Sequence, residues 1–232
     1  GVPMLNPPEH LLAQQLKPLE LMLAKQVGLE TPRTLISNDP AQVQAFVASV
    51  AEAVYKPVTG YGVCRPVTER ELGNLERLKA SPVIFQERVH GTGIRATFVD
   101  GQLVSTVRIP SDSLDYRDNP AYVAGQQVYE PTQLPSPVLA ACLTYLERAG
   151  LLFAGIDLVL TADGHHVFLE ANSSPMYLEI EMRTRHPITF ELCTALLKYA
   201  NGPEAYGQAR AKGRQLQGFV PYSLPFGPEV WT

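Results

Sequence analysis

The sequence predicts a mixed α/β chain of the α+β kind, in which antiparallel hairpins and amphipathic helices follow one another. Three observations predict it. Two Asp-Gly pairs, Asp100-Gly101 and Asp163-Gly164, each stand between alternating apolar runs, a strong short-range hairpin signal. Several stretches repeat apolar residues at helical spacing and close on Gly, as residues 137–149 do before Gly150. The chain is 232 residues long, 45% hydrophobic and 18% charged, which suffices for a substantial core in one large domain or two small ones.

Composition also excludes function classes. A net charge of -4 argues against a general nucleic-acid or membrane-surface binder. No apolar run approaches the ~20 residues of a membrane span. The start, GVPMLNPPEH, has neither the basic nor the apolar region of a signal peptide. Cys64, Cys142 and Cys193 are scattered, odd in number and without a CxxC, which favours a reducing compartment, and a cytoplasmic location is expected.

The second hairpin, residues 155–181, carries the densest chemistry. If Asp163 and Gly164 are its central turn residues, Val159 faces Phe168 and Asp157 faces Glu170. Ile156, Leu158 and Leu160 then share a core face with Val167, Leu169 and Ala171. Asp157, Glu170 and Asn172 gather on the other face, away from the turn. Two carboxylates directly across strands repel unless a cation lies between them. Three oxygen donors without His or Cys suit a hard ion such as Mg²⁺. The alternative is a pair of solvated carboxylates, and a longer turn would separate them.

Upstream, Pro7-Pro8 opens a helical stretch to about Val27, with Leu12, Leu16, Leu19, Leu23 and Val27 as its buried face. Pro18 predicts a kink or two helices, and Gly28 closes the stretch. Residues 34–37 form a strand, and Asn38 or Asp39 caps a helix with Pro40 in its first turn. Residues 53–57 form a strand ending in Lys56. Thr59, Gly60, Tyr61 and Gly62 lead to a short strand at 63–67. A glycine loop beside a lysine can cover phosphate; it is equally an ordinary turn, and it lacks the pattern of a P-loop. Residues 69–79 read as a polar surface helix.

Residues 83–89 form an apolar strand, and the first hairpin follows. Its Gly91–Ala96 segment, GTGIRA, fits a dinucleotide fingerprint, but a strand follows where that fingerprint needs a helix. Counting around Asp100-Gly101 pairs Arg95 with Thr106 and Gly93 with Arg108. Arg95 and Arg108 then lie diagonally on one face, as an anion clamp or as two outward-reaching side chains. Residues 110–131 form a long loop, which points to a binding or lid segment, with Asp115, Tyr116 and Arg117 as its functional cluster or a surface patch. Ser136 caps a helix over 137–149, and a further helix spans 187–199. The tail, residues 203–232, starts helical and ends Pro-rich and aromatic.

This order of signals resembles the ATP-grasp fold. The chain is most similar to the branch that holds ribosomal-protein glutamate ligases and the ligases that cyclise microviridin-type peptides (graspetides). The resemblance rests on LNPPEHLLAQQLKPLELMLAKQVGLETPRTLISNDP, VYKPVTGYG, FQERVHGTGIRATFVDGQLV, the Ser111 to Arg117 segment and GIDLVLTADGHHVFLEANSSP. It implies two α+β subdomains that grip ATP: residues 1–82, with the helices, a small sheet and the glycine loop, and residues 83–202, with the Mg·ATP site.

Site roles follow from the resemblance. Lys17 and Lys56 match the two phosphate lysines, and Thr59, Gly60, Tyr61 and Gly62 the loop over the phosphates. Gln86, Glu87, Arg88 and Val89 match the hinge that holds adenine. Arg95 and Arg108 match arginines near the γ-phosphate and acyl phosphate. Asp157, Glu170 and Asn172 match the Mg²⁺ ligands, with Mn²⁺ as a substitute. Asp115 and Arg117 resemble a substrate segment of the peptide-cyclising branch, with Tyr116 in the place of a Trp.

The sequence departs from the family in two places. Gly93-Ile94 precedes Arg95 where Asp is usual two positions ahead, and Ser173-Ser174-Pro175 follows Asn172 where Pro-x-Gly is usual. Ser173 is therefore a candidate for substrate choice. The family's N-terminal α/β domain does not precede Leu5, so a fragment, a processed chain or a short member is expected. The implied activity is ATP-dependent carboxylate–amine or carboxylate–hydroxyl ligation through an acyl phosphate, on a peptide or protein. A small-molecule or amino-acid ligase and a non-catalytic ATP-binding module are the alternatives. Expected partners are ATP and a carboxylate-bearing peptide or small molecule, without nucleic acid or membrane, and a homodimer through the tail.

Overall fold

The structure, a computed structural model, describes residues 4–58, 64–111, 113–114 and 118–201. The chain opens with helices α1 (Pro8–Gln14) and α2 (Lys17–Gln26), then β1 (Thr34–Ser37), α3 (Pro40–Ala48), β2 (Ala53–Pro57), β3 (Arg65–Pro66) and α4 (Glu69–Leu72). Strands β4 (Val83–Glu87), β5 (Thr92–Val99) and β6 (Gln102–Ile109) follow, then α5 (Pro120–Val123), β7 (Glu130–Pro131) and α6 (Ser136–Ala149). The described chain ends with β8 (Phe153–Leu160), β9 (His166–Asn172), α7 (Leu178–Thr184) and α8 (Ile188–Asn201).

Two antiparallel sheets result. The first has the order β1-β4-β2-β3 and the second β7-β6-β5-β8-β9. Strand β4 lies between β1 and β2 in the first sheet. The N-terminal helices pack on the second sheet. Leu21, Ala24 and Leu29 join Ile94, Phe98, Tyr145, Ile156 and Phe168 in the core of the second sheet. The core of the first sheet is smaller, built on Val43, Leu75 and Phe85.

The expected buried face of α1 and α2 is corrected in part: Leu23 and Val27 pack against the core, but the three expected leucines before them do not. Leu12, Leu16 and Leu19 are exposed, while Gln14, Glu20, Leu21 and Ala24 are buried. The helices are two, as Pro18 requires: Pro cannot supply an interior N–H, and α2 starts at Lys17 with Pro18 in its first turn. Pro135 takes the N-cap of α6, so Ser136 is its first helical residue and gives no side-chain cap. The polar helix at 69–79 divides into α4 and a 3-10 turn, Leu75–Ala80. Helix α7 and the short α5 and β7 were not foreseen.

Two β-bulges decide which side chains face the site. In the β8–β9 hairpin, the Thr161 N–H donates to the His165 carbonyl at 3.0 Å, so the turn spans Ala162, Asp163 and Gly164, one residue more than counted. Leu158 therefore faces Phe168 and Val159 faces Val167; Phe168 joins the main core cluster, while Val167 is buried outside it and Leu169 is half-buried. A bulge at Leu169 then shifts the register back, and Asp157 faces Glu170. The two irregularities cancel at the site.

In the β5–β6 hairpin nothing cancels. Val99 faces Gln102 across the expected turn, but a bulge at Val104 moves the remaining pairs by one. Arg95 faces Val107, and Arg108 faces Ile94. Because side chains alternate, Arg95 and Arg108 lie on opposite faces, which overturns the expected clamp. Arg108 is exposed and stands across from Glu130 of β7.

Candidate active site

Four strands carry one row of side chains. Glu170 on β9 faces Asp157 on β8, which faces Arg95 on β5, which faces Val107 on β6. Arg95 is 7% exposed. Its Nη2 donates to Asp157 Oδ2 at 2.9 Å, and its Nε donates to Asp157 Oδ1, a two-point contact. Burial pushes the Asp157 carboxyl above its usual range, with the Arg95 guanidinium opposing it.

At the other end of the row, Lys17 Nζ donates to Glu170 Oε2 at 3.0 Å and lies 2.9 Å from Glu20 Oε2. Burial works to raise the Glu170 carboxyl, but Lys17, Lys56 and Arg95 outweigh it, and Glu170 stays below its usual range. Burial likewise works to lower Lys17, yet Glu20 and Glu170 keep its ammonium above its usual value. Each of the two facing carboxylates has a cation on its outer side, Lys17 beside Glu170 and Arg95 beside Asp157, which offsets part of their mutual repulsion.

A cavity of about 410 Å³ opens between the two sheets, a size typical of small-molecule sites. Lys56, Gln86, Glu87, Arg88 and Val89 line it from the first sheet and the connection to β5, and Arg95, Asp157, Glu170 and Asn172 line it from the second. Gly91 lets that connection approach β8: a Cβ there would lie 2.2 Å from the Leu160 carbonyl oxygen. Gly155 makes room inside the site, since a Cβ would lie 2.9 Å from Pro175 Cβ and 3.1 Å from Arg95 Cδ.

The hinge side chains are partly committed to the fold. Gln86 Nε2 donates to Thr34 Oγ1 at 3.0 Å, Glu87 Oε1 accepts from the Arg33 N–H at 2.9 Å, and Arg88 pairs with Glu52 at 2.9 Å. Backbone groups of the hinge are thus held in place. Asn172 Oδ1 accepts from the Ser174 N–H at 2.9 Å. Asp157, Glu170 and Asn172 form an oxygen-only donor set on one face, whose chemistry fits a hard cation that keeps other oxygen ligands.

Other expected site residues fall elsewhere. Arg108 and Ser173 do not line the cavity, and the Ser173 carbonyl accepts from Asn6 Nδ2 at 2.8 Å. Thr59, Gly60, Tyr61 and Gly62 lie outside the described residues, as do Asp115, Tyr116 and Arg117, and residues 219–231, on which the homodimer expectation rests.

Sequence reasoning missed the polar face that joins α1 and α2 to the site. Gln14 Nε2 donates to Glu20 Oε1 at 3.0 Å, to Tyr145 Oη at 2.9 Å and to the Ala171 carbonyl at 3.1 Å. Asn6, His10, Gln14, Lys17 and Glu20 recur three or four residues apart, a helical spacing. That signal was present, but the leucines at similar spacing hid it.

Residues 13–196 match the RimK-like ATP-grasp domain family, well over half of the chain. The chain belongs to that family. Its relatives include the tetrahydromethanopterin:alpha-L-glutamate ligase of Methanocaldococcus jannaschii, 25% identical over 85% of this chain and 71% of the relative. The ATP-grasp ligase PsnB, in complex with a minimal precursor, is 33% identical over 85% of this chain, with a TM-score of 0.75. The macrocyclase MdnC of Microcystis aeruginosa MRC, bound to its precursor peptide MdnA, is 29% identical over 84% of this chain, with a TM-score of 0.73. The chain spans 63% of PsnB and 64% of MdnC. A further PsnB structure contains Mg and ADP with a precursor variant. The two-sheet architecture is accordingly the ATP-grasp fold. No helix among the described residues is long and apolar enough to cross a membrane.

Proposed function

We propose that this chain is the ATP-binding and catalytic part of a ligase that activates a carboxylate with ATP and joins it to an amine or hydroxyl of a peptide or protein. The observation that carries this reading is that Arg95, Asp157 and Glu170 line the inter-sheet cavity side by side, with Lys17 outside its lining and bound to Glu170. ATP is a substrate here, and Asp157, Glu170 and Asn172 would hold Mg²⁺, or Mn²⁺ in its place. When bound, the ion supplies positive charge to the phosphate oxygens.

The remaining work falls to the chain. The backbone of Gln86, Glu87, Arg88 and Val89 would hold adenine at the hinge. Lys56 and Lys17 would neutralise phosphate charge, and Thr59, Gly60, Tyr61 and Gly62 would cover it. A substrate carboxylate oxygen would attack the γ-phosphorus, and the bond to the bridging oxygen would break to release ADP. Arg95, already fixed by Asp157, would stabilise the charge that develops there. The amine or hydroxyl would then attack the acyl carbon, lose its proton and expel inorganic phosphate. Asp115 and Arg117 would meet the substrate. Three scattered cysteines without a CxxC suit a reducing compartment such as the cytoplasm.

The peptide substrate is supported by the precursor complexes of PsnB and MdnC. A small-molecule acceptor is favoured instead by the methanopterin ligase, a relative that covers as much of this chain. Mass spectrometry separates the two. With ATP and Mg²⁺, each condensation within a peptide removes one water, about 18 Da, whereas each added residue raises the mass. ATP bound without ADP release or any mass change, in the full-length protein with either substrate class, would contradict ligation.

A further inference from the structure

We infer that Glu20 is a positioning residue that sets both the strand presenting Glu170 and Asn172 and the lysine that serves the phosphates; the inference rests on the ligase reading above. Strand β9 is an edge of the second sheet. The outward backbone groups of an edge strand need partners from elsewhere. At Ala171 those partners are side chains. The Ala171 N–H donates to Glu20 Oε1, and the Ala171 carbonyl accepts from Gln14 Nε2 at 3.1 Å. The α1–α2 face thus does for Ala171 what a further strand would do. Ala171 lies between Glu170 and Asn172, so fixing its peptide groups fixes the pleat that turns both neighbours toward the cavity.

The same carboxylate governs Lys17. Glu20 Oε2 lies 2.9 Å from Lys17 Nζ, which reaches Glu170 Oε2 at 3.0 Å. Glu20 is 2% exposed, and a carboxylate so buried is tolerated only when paired and hydrogen-bonded. Three groups face it, the Lys17 ammonium, the Gln14 amide N–H and the Ala171 N–H, and all three are donors. Only a carboxylate offers acceptor oxygens to all of them. A glutamine would turn its own NH₂ toward Lys17 or Gln14. Tyr145 Oη, accepting from Gln14 Nε2 at 2.9 Å, orients the amide that completes the grip.

The test uses E20Q and compares two ligands by calorimetry. Adenosine occupies the hinge alone, whereas Mg·ADP also needs the lysines and the β9 carboxylate. E20Q, with its folding checked by thermal unfolding, is expected to weaken Mg·ADP by about tenfold or more and to leave adenosine unchanged. A merely structural role would weaken both together, and that result, or no change in either, would overturn the inference. Gln14→Ala keeps the Glu20 carboxylate and Lys17 in place and is expected to give the same selective loss at smaller size. It therefore decides the matter if E20Q does not fold. Native protein that binds ADP no more tightly with Mg²⁺ than without it would overturn the ligase reading as well. Native Mg²⁺ dependence that persists undiminished in both variants would overturn the inference alone.

Discussion

Arg95 and Asp157 face each other on adjacent strands and make a two-point contact, with the Nη2 to Oδ2 distance at 2.9 Å. Planar guanidinium and carboxylate groups match in this geometry, and the match holds both side chains in one orientation. The contact joins the arginine nearest the proposed phosphoryl transfer to one of the proposed metal ligands, so loss of either disturbs the other.

Asp157→Asn and Glu170→Gln therefore differ in stability although both should abolish ADP formation. Asp157→Asn removes the charge from the two-point contact with the buried Arg95 and is expected to destabilise the fold by about 1–3 kcal/mol. Glu170→Gln leaves Lys17 paired with Glu20 and should shift stability by less than about 1 kcal/mol. Urea unfolding of the three proteins measures the difference, and equal losses would contradict the arrangement.

Arg108 provides a negative control that the sequence alone would have assigned to catalysis. It stands on the face away from Arg95 and is exposed. Arg108→Ala should keep ADP release within about twofold of native, because exposed charges distant from a site act weakly through water, whereas Arg95→Ala should abolish it. Comparable losses in the two variants would restore the clamp.

Asn6 ties the N-terminal segment to both ends of the β8–β9 hairpin. Its Nδ2 donates to the Phe153 and Ser173 carbonyls at 2.6 and 2.8 Å, and its Oδ1 accepts from the Leu152 and Phe153 N–H groups at 3.0 and 3.1 Å. Asn6→Ala removes all four bonds and should cost about 2–4 kcal/mol, read as a lower urea midpoint. A midpoint unchanged from native would show that water replaces them.

Much of this arrangement was legible in the sequence, and the exceptions share a physical cause. The strand over 53–57 and the Asp39 cap, which accepts from the Ala41 N–H at 2.9 Å, appear as read. These are local signals. Register is not local, because an extra residue in one strand moves every later side chain to the other face. The pairing of Asp157 with Glu170 survived since a longer turn and the Leu169 bulge offset each other. The pairing of Arg95 with Arg108 failed since the Val104 bulge had no counterpart. Leu12, Leu16 and Leu19 misled for another reason: periodicity locates a face without saying which partner covers it, and the polar face at Gln14 and Glu20 was the one turned inward. Helix α7 was hidden because only Ile180 among its residues is buried.

His186 gives a pH prediction. Its Nδ1 is 2.6 Å from Ser105 Oγ, and burial holds the imidazole below its usual 6.5. A folded value below the unfolded one means that the unfolded chain binds the proton more readily, so stability is full above about 6.5 and declines as pH falls through the folded value. Relative to His186→Gln, the native protein should lose thermal stability between pH 7.5 and 5.5. Parallel pH profiles for the two would contradict the neutral, half-buried imidazole.

The most direct measurement is calorimetric titration of ADP, with and without Mg²⁺, into the native protein and Glu170→Gln. The native protein should bind ADP at least about tenfold more tightly with Mg²⁺, and Glu170→Gln should lose that gain while still binding adenosine. An equal Mg²⁺ effect in both proteins, or none in the native one, would contradict a metal–phosphate site on the Asp157–Glu170 pair.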